Sequence, residues 1–148
     1  MNSMKKFYTG AAMMVAATMA VSATAQEWPT RDGSVYVASA VDVLPGQYPA
    51  YLDYLATDWK KEMEWGKAQG YILSYKVLRV NHPRNGEPDL VLVIEYKDYG
   101  SIAERAEIGK RYNAAMGTNA RQRAPKNAER EKMRTSMGST EYQELILK

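Results

Sequence analysis

The sequence predicts an α+β domain in which an antiparallel sheet carries its helices on one face. Three observations point there. Residues 34–43, 71–80 and 90–96 show the alternation or short apolar run of β-strands. Between the first two, apolar residues recur at three- and four-residue steps, the spacing of one helix face. Asn85-Gly86, between the second and third, is a reversal signal that makes those strands an antiparallel hairpin.

Taken in order, Gln26–Gly33 reads as a leader with Pro29 and an Asp32-Gly33 turn signal. In the strand Ser34–Val43, Val35, Val37, Ser39 and Val41 share one face, and Tyr36, Ala38, Ala40 and Asp42 the other. Pro45-Gly46 breaks it. The helix Gln47–Gln69 carries the stripe Tyr48, Tyr51, Leu52, Leu55, Trp59 and Met63, and Gly70 is its stop. In Tyr71–Val80, Tyr71, Leu73, Tyr75 and Val77 fall on one face, and Ile72, Ser74, Lys76, Leu78 and Val80 on the other. Leu90–Tyr96 is apolar on both faces, as a central strand covered on both sides would be. Ser101 caps a second helix, with Glu104 completing a capping box and an inner stripe of Ile102, Ala106, Gly109, Tyr112 and Met116. The path of Thr118–Met137 stays open between a third helix and a lid, with Pro125 suited to the first position of a short helix. Tyr142–Leu147 closes the chain as a strand. The order is β-α-β-β-α-(α)-β, a split βαβ arrangement.

The segment Met1–Ala25 reads as a cleavable secretory signal peptide. Lys5 and Lys6 form a basic start, an apolar stretch runs to Val21, and Ala23-Thr24-Ala25 supplies the small-x-small cleavage box, so the processed chain starts at Gln26. The apolar core is too short for a permanent span. No twin arginine is present, and no cysteine follows the box to carry a lipid. The expected product is exported, to a bacterial periplasm or beyond, without a permanent membrane anchor.

About 123 residues then remain, the size of one domain, 34–148, behind a short leader, 26–33. The formal net charge of +3 falls to +1 when Lys5 and Lys6 of the signal segment are removed. A nearly neutral body gives little steering toward nucleic acid, and no such partner is expected. Cysteine is absent, so stability must come from packing or oligomerisation rather than disulfides. There are 11 tyrosines and one phenylalanine, Phe7, which lies in the signal segment. Tyrosine buries its ring while its hydroxyl stays wet, which suits a dimer interface, a wet ligand cavity or the rim of a small core.

Helices can cover only one face of such a sheet, yet Val91 and Val93 make the other face of the third strand apolar as well. In this the chain resembles the dimeric α/β-barrel superfamily, whose ferredoxin-like subunits press their sheets together. The residues that carry the resemblance are Val35–Val41, the long helix with Tyr51-Leu52 and Trp59, the strand pair Tyr71–Val80 and Leu90–Tyr96, and Glu141–Leu147. The resemblance implies a ferredoxin-like βαββαβ fold and a homodimer. Members include cofactor-independent monooxygenases, stress-responsive barrel proteins, haem-handling proteins and muconolactone-isomerase-like enzymes, so it selects no activity.

Among candidate site residues, Glu95 stands out as a carboxylate in an apolar strand, on the face of Val91 and Val93. Such a group needs a partner or a raised pKa. It reads as a general base toward a weakly acidic substrate, a structural ion pair, or an exposed strand end; Lys76 and Arg79 are the neighbouring cations, and only one shares its face. Tyr36, Tyr71, Tyr75 and Tyr96 read as cavity-lining residues that orient a planar ligand, or as cross-strand packing pairs. His82, the single histidine, sits in the polar loop before Pro83. With no cysteine and no second histidine, no metal and no cofactor are expected. Arg121, Arg123, Lys126, Arg130, Lys132 and Arg134, interspersed with Glu129 and Glu131, read as a solvated surface. No nucleophile motif or phosphate-cradling loop survives outside the signal segment. The functional expectation is non-covalent binding of a small apolar or aromatic molecule, or an envelope or stress role. The alternatives are a cofactor-independent monooxygenase- or isomerase-like enzyme with Glu95 as base, and a purely structural dimer.

Overall fold

A computed structural model describes residues 28–148. The segment Met1–Ala25, read as a signal peptide, and the expected processed start at Gln26 lie outside the described residues. Four strands, β1 (Thr30–Val43), β2 (Ile72–Arg79), β3 (Leu90–Tyr96) and β4 (Arg134–Leu147), form one sheet in the order β2-β3-β1-β4. Every neighbouring pair is antiparallel. With helices between β1 and β2 and between β3 and β4, this is the ferredoxin-like arrangement.

β1 begins earlier than its alternation indicates. Thr30, Arg31 and Asp32 pair with Leu147, Ile146 and Leu145, and the register shifts between Asp32 and Val35. The Asp32-Gly33 signal therefore marks an irregularity within a strand rather than a turn before it. Beyond β3, whose pairing with β1 spans Val35–Val41, strands β1 and β4 continue together as a two-stranded ribbon.

The long helix runs as α1 (Tyr48–Tyr54), a π-helical turn (Leu55–Trp59) and α2 (Lys60–Ala68). Pro49 lies in the first turn, where its missing N–H costs nothing. Tyr51, Leu55, Trp59 and Met63 follow one another at unbroken four-residue steps, and all four are buried. On a regular α-helix of 3.6 residues per turn each such step drifts by about 40° around the axis. The wider π turn takes up that drift and keeps the four side chains on one face. Leu52, assigned to the stripe from sequence, is instead exposed.

The stripe packs on the sheet against Val41, Val43, Ile72, Leu90 and Leu92, forming the main core cluster. Tyr51, Leu90 and Val41 are essentially inaccessible. Burying a side chain of this kind contributes about 1.5–3 kcal/mol. Ile72 corrects the sequence reading of β2, which put it on the other face. A register irregularity between Ile72 and Ser74 inserts a residue, so Ile72 and Tyr75 both reach the helix side while Leu73 is exposed. Gly66 is buried where α2 crosses β2, and a Cβ there would lie 2.4 Å from Ile72 Cδ1.

Helix α3 (Ile102–Met116) has the expected capping box, with the Glu104 N–H donating to Ser101 Oγ at 3.2 Å and the Ser101 N–H to the Glu104 carboxylate at 2.6 Å. Its inner stripe differs from the expected one. Ile102, Ala106 and Gly109 are exposed, and the partly buried line is Ile108, Tyr112 and Met116. Helix α4 (Ala120–Glu131) resolves the uncertain segment as a third helix. It starts from an Asn119–Gln122 capping box, so Pro125 falls inside the helix rather than at its first position. β4 begins at Arg134 rather than near Tyr142 and is exposed along almost its whole length.

Candidate functional site

The two halves of α3 are held differently. Its C-terminal half is tied down by a chain of rings: Tyr112 meets Trp65 edge-on at 5.3 Å, Trp65 meets Tyr71 at 6.0 Å, and Tyr71 stacks on Tyr96 at 6.4 Å. Arg111 Nη1 adds a donor to the Gln69 side-chain oxygen at 2.7 Å. The N-terminal half stands away from the sheet over a cavity of about 580 Å³. That falls within the range of small-molecule sites.

The floor of this cavity is Val35 and Val37 of β1 with Tyr71 and Tyr96, and Ile108 faces it from α3. Its rim is charged, with Arg105, Arg111, Glu104 and Glu141 among the lining residues. The Tyr99 hydroxyl donates to the Glu141 carboxylate, joining the β3–α3 connection to β4 beside the opening. Burial raises the pKa of the Tyr71 and Tyr96 hydroxyls, so both stay protonated at neutral pH. Chemically this is a flat, mostly apolar recess with phenolic hydroxyls and a polar mouth. It suits a planar or aromatic molecule.

The five residues singled out from sequence do not all share this recess. Tyr71 and Tyr96 line it. Tyr75 lies under the long helix, edge-on to Trp59 at 5.2 Å, with its hydroxyl donating to Glu64 at 2.5 Å. Tyr36 and Glu95 face each other across β1 and β3 on the opposite, helix-free face of the sheet. There the Ser74 hydroxyl donates to Glu95 Oε2 at 2.5 Å. That bond, with contributions from the Tyr36 and Ser34 side chains and the Lys76 charge, outweighs burial and lowers the Glu95 pKa. The Tyr36 hydroxyl, bonded to the carboxylate, is raised. Lys76, not Arg79, is thus the cation on the Glu95 face.

His82 is exposed in the loop and adopts a left-handed backbone conformation, φ 58°. Among the described residues no three His, Cys, Asp or Glu side chains are placed to hold a metal ion. No helix among them is long and apolar enough to cross a membrane.

Sequence reasoning missed Tyr99, Ile108 and Arg111. The four-residue spacing of Ile108, Tyr112 and Met116 was the available signal for the inward line of α3. The basic segment departs from expectation at three of its six cations, while Arg121, Lys126 and Lys132 are exposed. The guanidiniums of Arg123, Arg130 and Arg134 lie over the rings of Tyr112, Tyr54 and Tyr51 at 5.0, 5.9 and 5.8 Å. They are partly buried rather than solvated, because a flat guanidinium packs on an aromatic face.

No family model matches this chain, and no curated protein matches it in sequence. Among solved structures it is similar to a dimeric ferredoxin-like protein from an uncultured marine organism. The two are 20% identical, and the match covers 80% of this chain and 98% of the other, with a TM-score of 0.46. At that identity and score the likeness says nothing about activity.

Proposed function

We propose that this chain is an exported domain that forms a homodimer through the helix-free face of its sheet and binds a small apolar or aromatic molecule non-covalently between α3 and the sheet. The observation that carries the binding reading is the recess floored by Val35, Val37, Tyr71 and Tyr96 beneath the raised half of α3. Export is supported by the basic, apolar and small-x-small order of Met1–Ala25. Dimerisation is supported by the centre of the helix-free face, where Ala38, Ala40, Val91 and Val93 are cross-strand neighbours and Leu78 is exposed beside Val91. A second copy offering the same face is the economical cover for it.

The enzymatic alternative has one observation in its favour, the Tyr36 hydroxyl beside the Glu95 carboxylate. Against it stands the lowered pKa of Glu95, which makes the carboxylate a weaker proton acceptor. Non-covalent binding is therefore the better reading.

Native mass spectrometry of the processed protein, purified from its host's periplasmic extract, tests this directly. A dimer carrying additional small-molecule mass is the expected result. A bare dimer would favour the structural alternative, and a monomer would overturn dimerisation through the sheet.

A further inference from the structure

The loop between β2 and β3 holds the one asparagine of the sequence that is followed by glycine, Asn85-Gly86. Both residues are exposed, and they form the middle of a turn in which the Glu87 N–H donates to the Arg84 carbonyl at 2.9 Å. The residues on either side are tied to each other. The Arg84 N–H donates to Glu87 Oε2 at 2.8 Å, and Arg84 Nε donates to Oε1 at 2.6 Å. Asn85 and Gly86 themselves are not held. Among the described residues, neither the Gly86 N–H nor the Asn85 side-chain amide makes a hydrogen bond.

Gly86 has a φ of +83°, and a Cβ added to it would meet nothing within 4 Å, so the space around it is open. With no side chain, glycine neither shields its own nitrogen nor restricts the rotation that brings that nitrogen to Asn85 Cγ.

The other asparagines of the described chain lack these features. Asn113 and Asn127 lie inside α3 and α4, where the N–H of the following alanine belongs to the helical ladder. The Asn113 side-chain oxygen also accepts from Arg123 Nη1, and that of Asn119 accepts the Gln122 N–H at 3.0 Å. Asn81 is exposed but precedes His82, whose side chain crowds the attacking nitrogen as a glycine hydrogen does not.

We propose that Asn85 is a site of spontaneous covalent modification, converting to aspartate and isoaspartate through a cyclic imide formed with Gly86. The Gly86 nitrogen loses its proton to base and attacks Asn85 Cγ. The bond from Cγ to the side-chain nitrogen breaks, and that nitrogen takes up a proton and leaves as ammonia. Water then opens the imide at either carbonyl. One opening leaves aspartate, and the other leaves isoaspartate, with the main chain rerouted through Cγ. No atom changes oxidation state, and water is the only reactant consumed. Each event places a new carboxylate next to Arg84, whose guanidinium already serves Glu87. For a chain processed at Gln26 it takes the formal charge from +1 to zero. The loop lies outside every strand, so the longer isoaspartyl backbone leaves the sheet pairing intact.

The test is storage of the purified protein in mildly alkaline buffer at body temperature. Samples taken over weeks are separated by ion exchange and, after trypsin, by peptide mass spectrometry. The expected result is an acidic species heavier by about 1 Da. The gain should fall on residues 85–97 at a rate at least about tenfold above that of any peptide holding Asn81, Asn113, Asn119 or Asn127. Aspartyl and isoaspartyl forms of that peptide should both appear, and faster at higher pH. Asn85→Gln, which would have to close a larger ring, should abolish the acidic species. Faster conversion at another asparagine, no acidic species over the storage period, or aspartate as the sole product, which is plain hydrolysis without a ring, would each overturn the proposal.

Discussion

Glu95 accepts a hydrogen bond from Ser74 and interacts with Tyr36 and Lys76, so folding favours its charged form. A carboxyl whose pKa is lowered on folding stabilises the protein above its unfolded pKa, near 4.5, and loses that contribution as the pH falls through the folded value. Glu95→Gln is therefore expected to lower stability at pH 7 by about 1 kcal/mol or less, since the group is partly exposed. The gap from the parent should close as the pH drops below about 4.5, the ordinary carboxyl value. Urea unfolding at pH 7 and at lower pH measures it, and a gap independent of pH would remove the charge from the explanation. At this scale strand parity was a good guide on β3, where it put Glu95 with Val91 and Val93. It failed on β2, because one extra residue after Ile72 reverses every assignment on one side of it. Nothing in the side-chain pattern of Tyr71–Val80 marks that insertion.

The long helix and α4 show what element-level patterns can and cannot carry. The helix between β1 and β2 was readable from its stripe, and its four-residue steps also contained the signal for the π turn. The start of α4 was not found from Pro125, because proline is favourable at a first helical position and the Asn119–Gln122 box lies further upstream. With Pro125 inside the helix, its ring opposes the carbonyl of Arg121 and its nitrogen donates nothing. Pro125→Ala should then stabilise the protein by about 1–2 kcal/mol, the helix gain being partly offset by a freer unfolded chain. Were Pro125 at a first position, the same change would be neutral or destabilising. Thermal unfolding followed by circular dichroism separates the two. Helix α3 was placed correctly by its Ser101–Glu104 box, but its rotation was not. Ile102 reads as apolar and is 79% exposed, whereas the ring contact of the helix comes from Tyr112 in its C-terminal half.

At the scale of the molecule, order and topology were legible while extent was not. Four strands in an antiparallel sheet follow from the alternation and the Asn85-Gly86 reversal. The 14-residue length of β4 does not, because its first part, Arg134–Glu141, is mostly polar and exposed and so leaves little hydrophobic pattern. That length has a consequence of its own. β4 runs beside β1 to the end, with Leu147 opposite Thr30 and the Lys148 N–H donating to the Pro29 carbonyl at 2.9 Å. The two ends of the described chain therefore meet, and the order in which the strands are threaded is not essential to their pairing. A circular permutant that links residue 148 to residue 28 through a short flexible joint, and opens between Asn85 and Gly86, should fold to the same sheet, since that loop is exposed and lies outside every strand. Cooperative unfolding and an unchanged far-ultraviolet dichroism spectrum would establish it, and a permutant without a cooperative transition would show that the β2–β3 loop must be continuous for the hairpin to form.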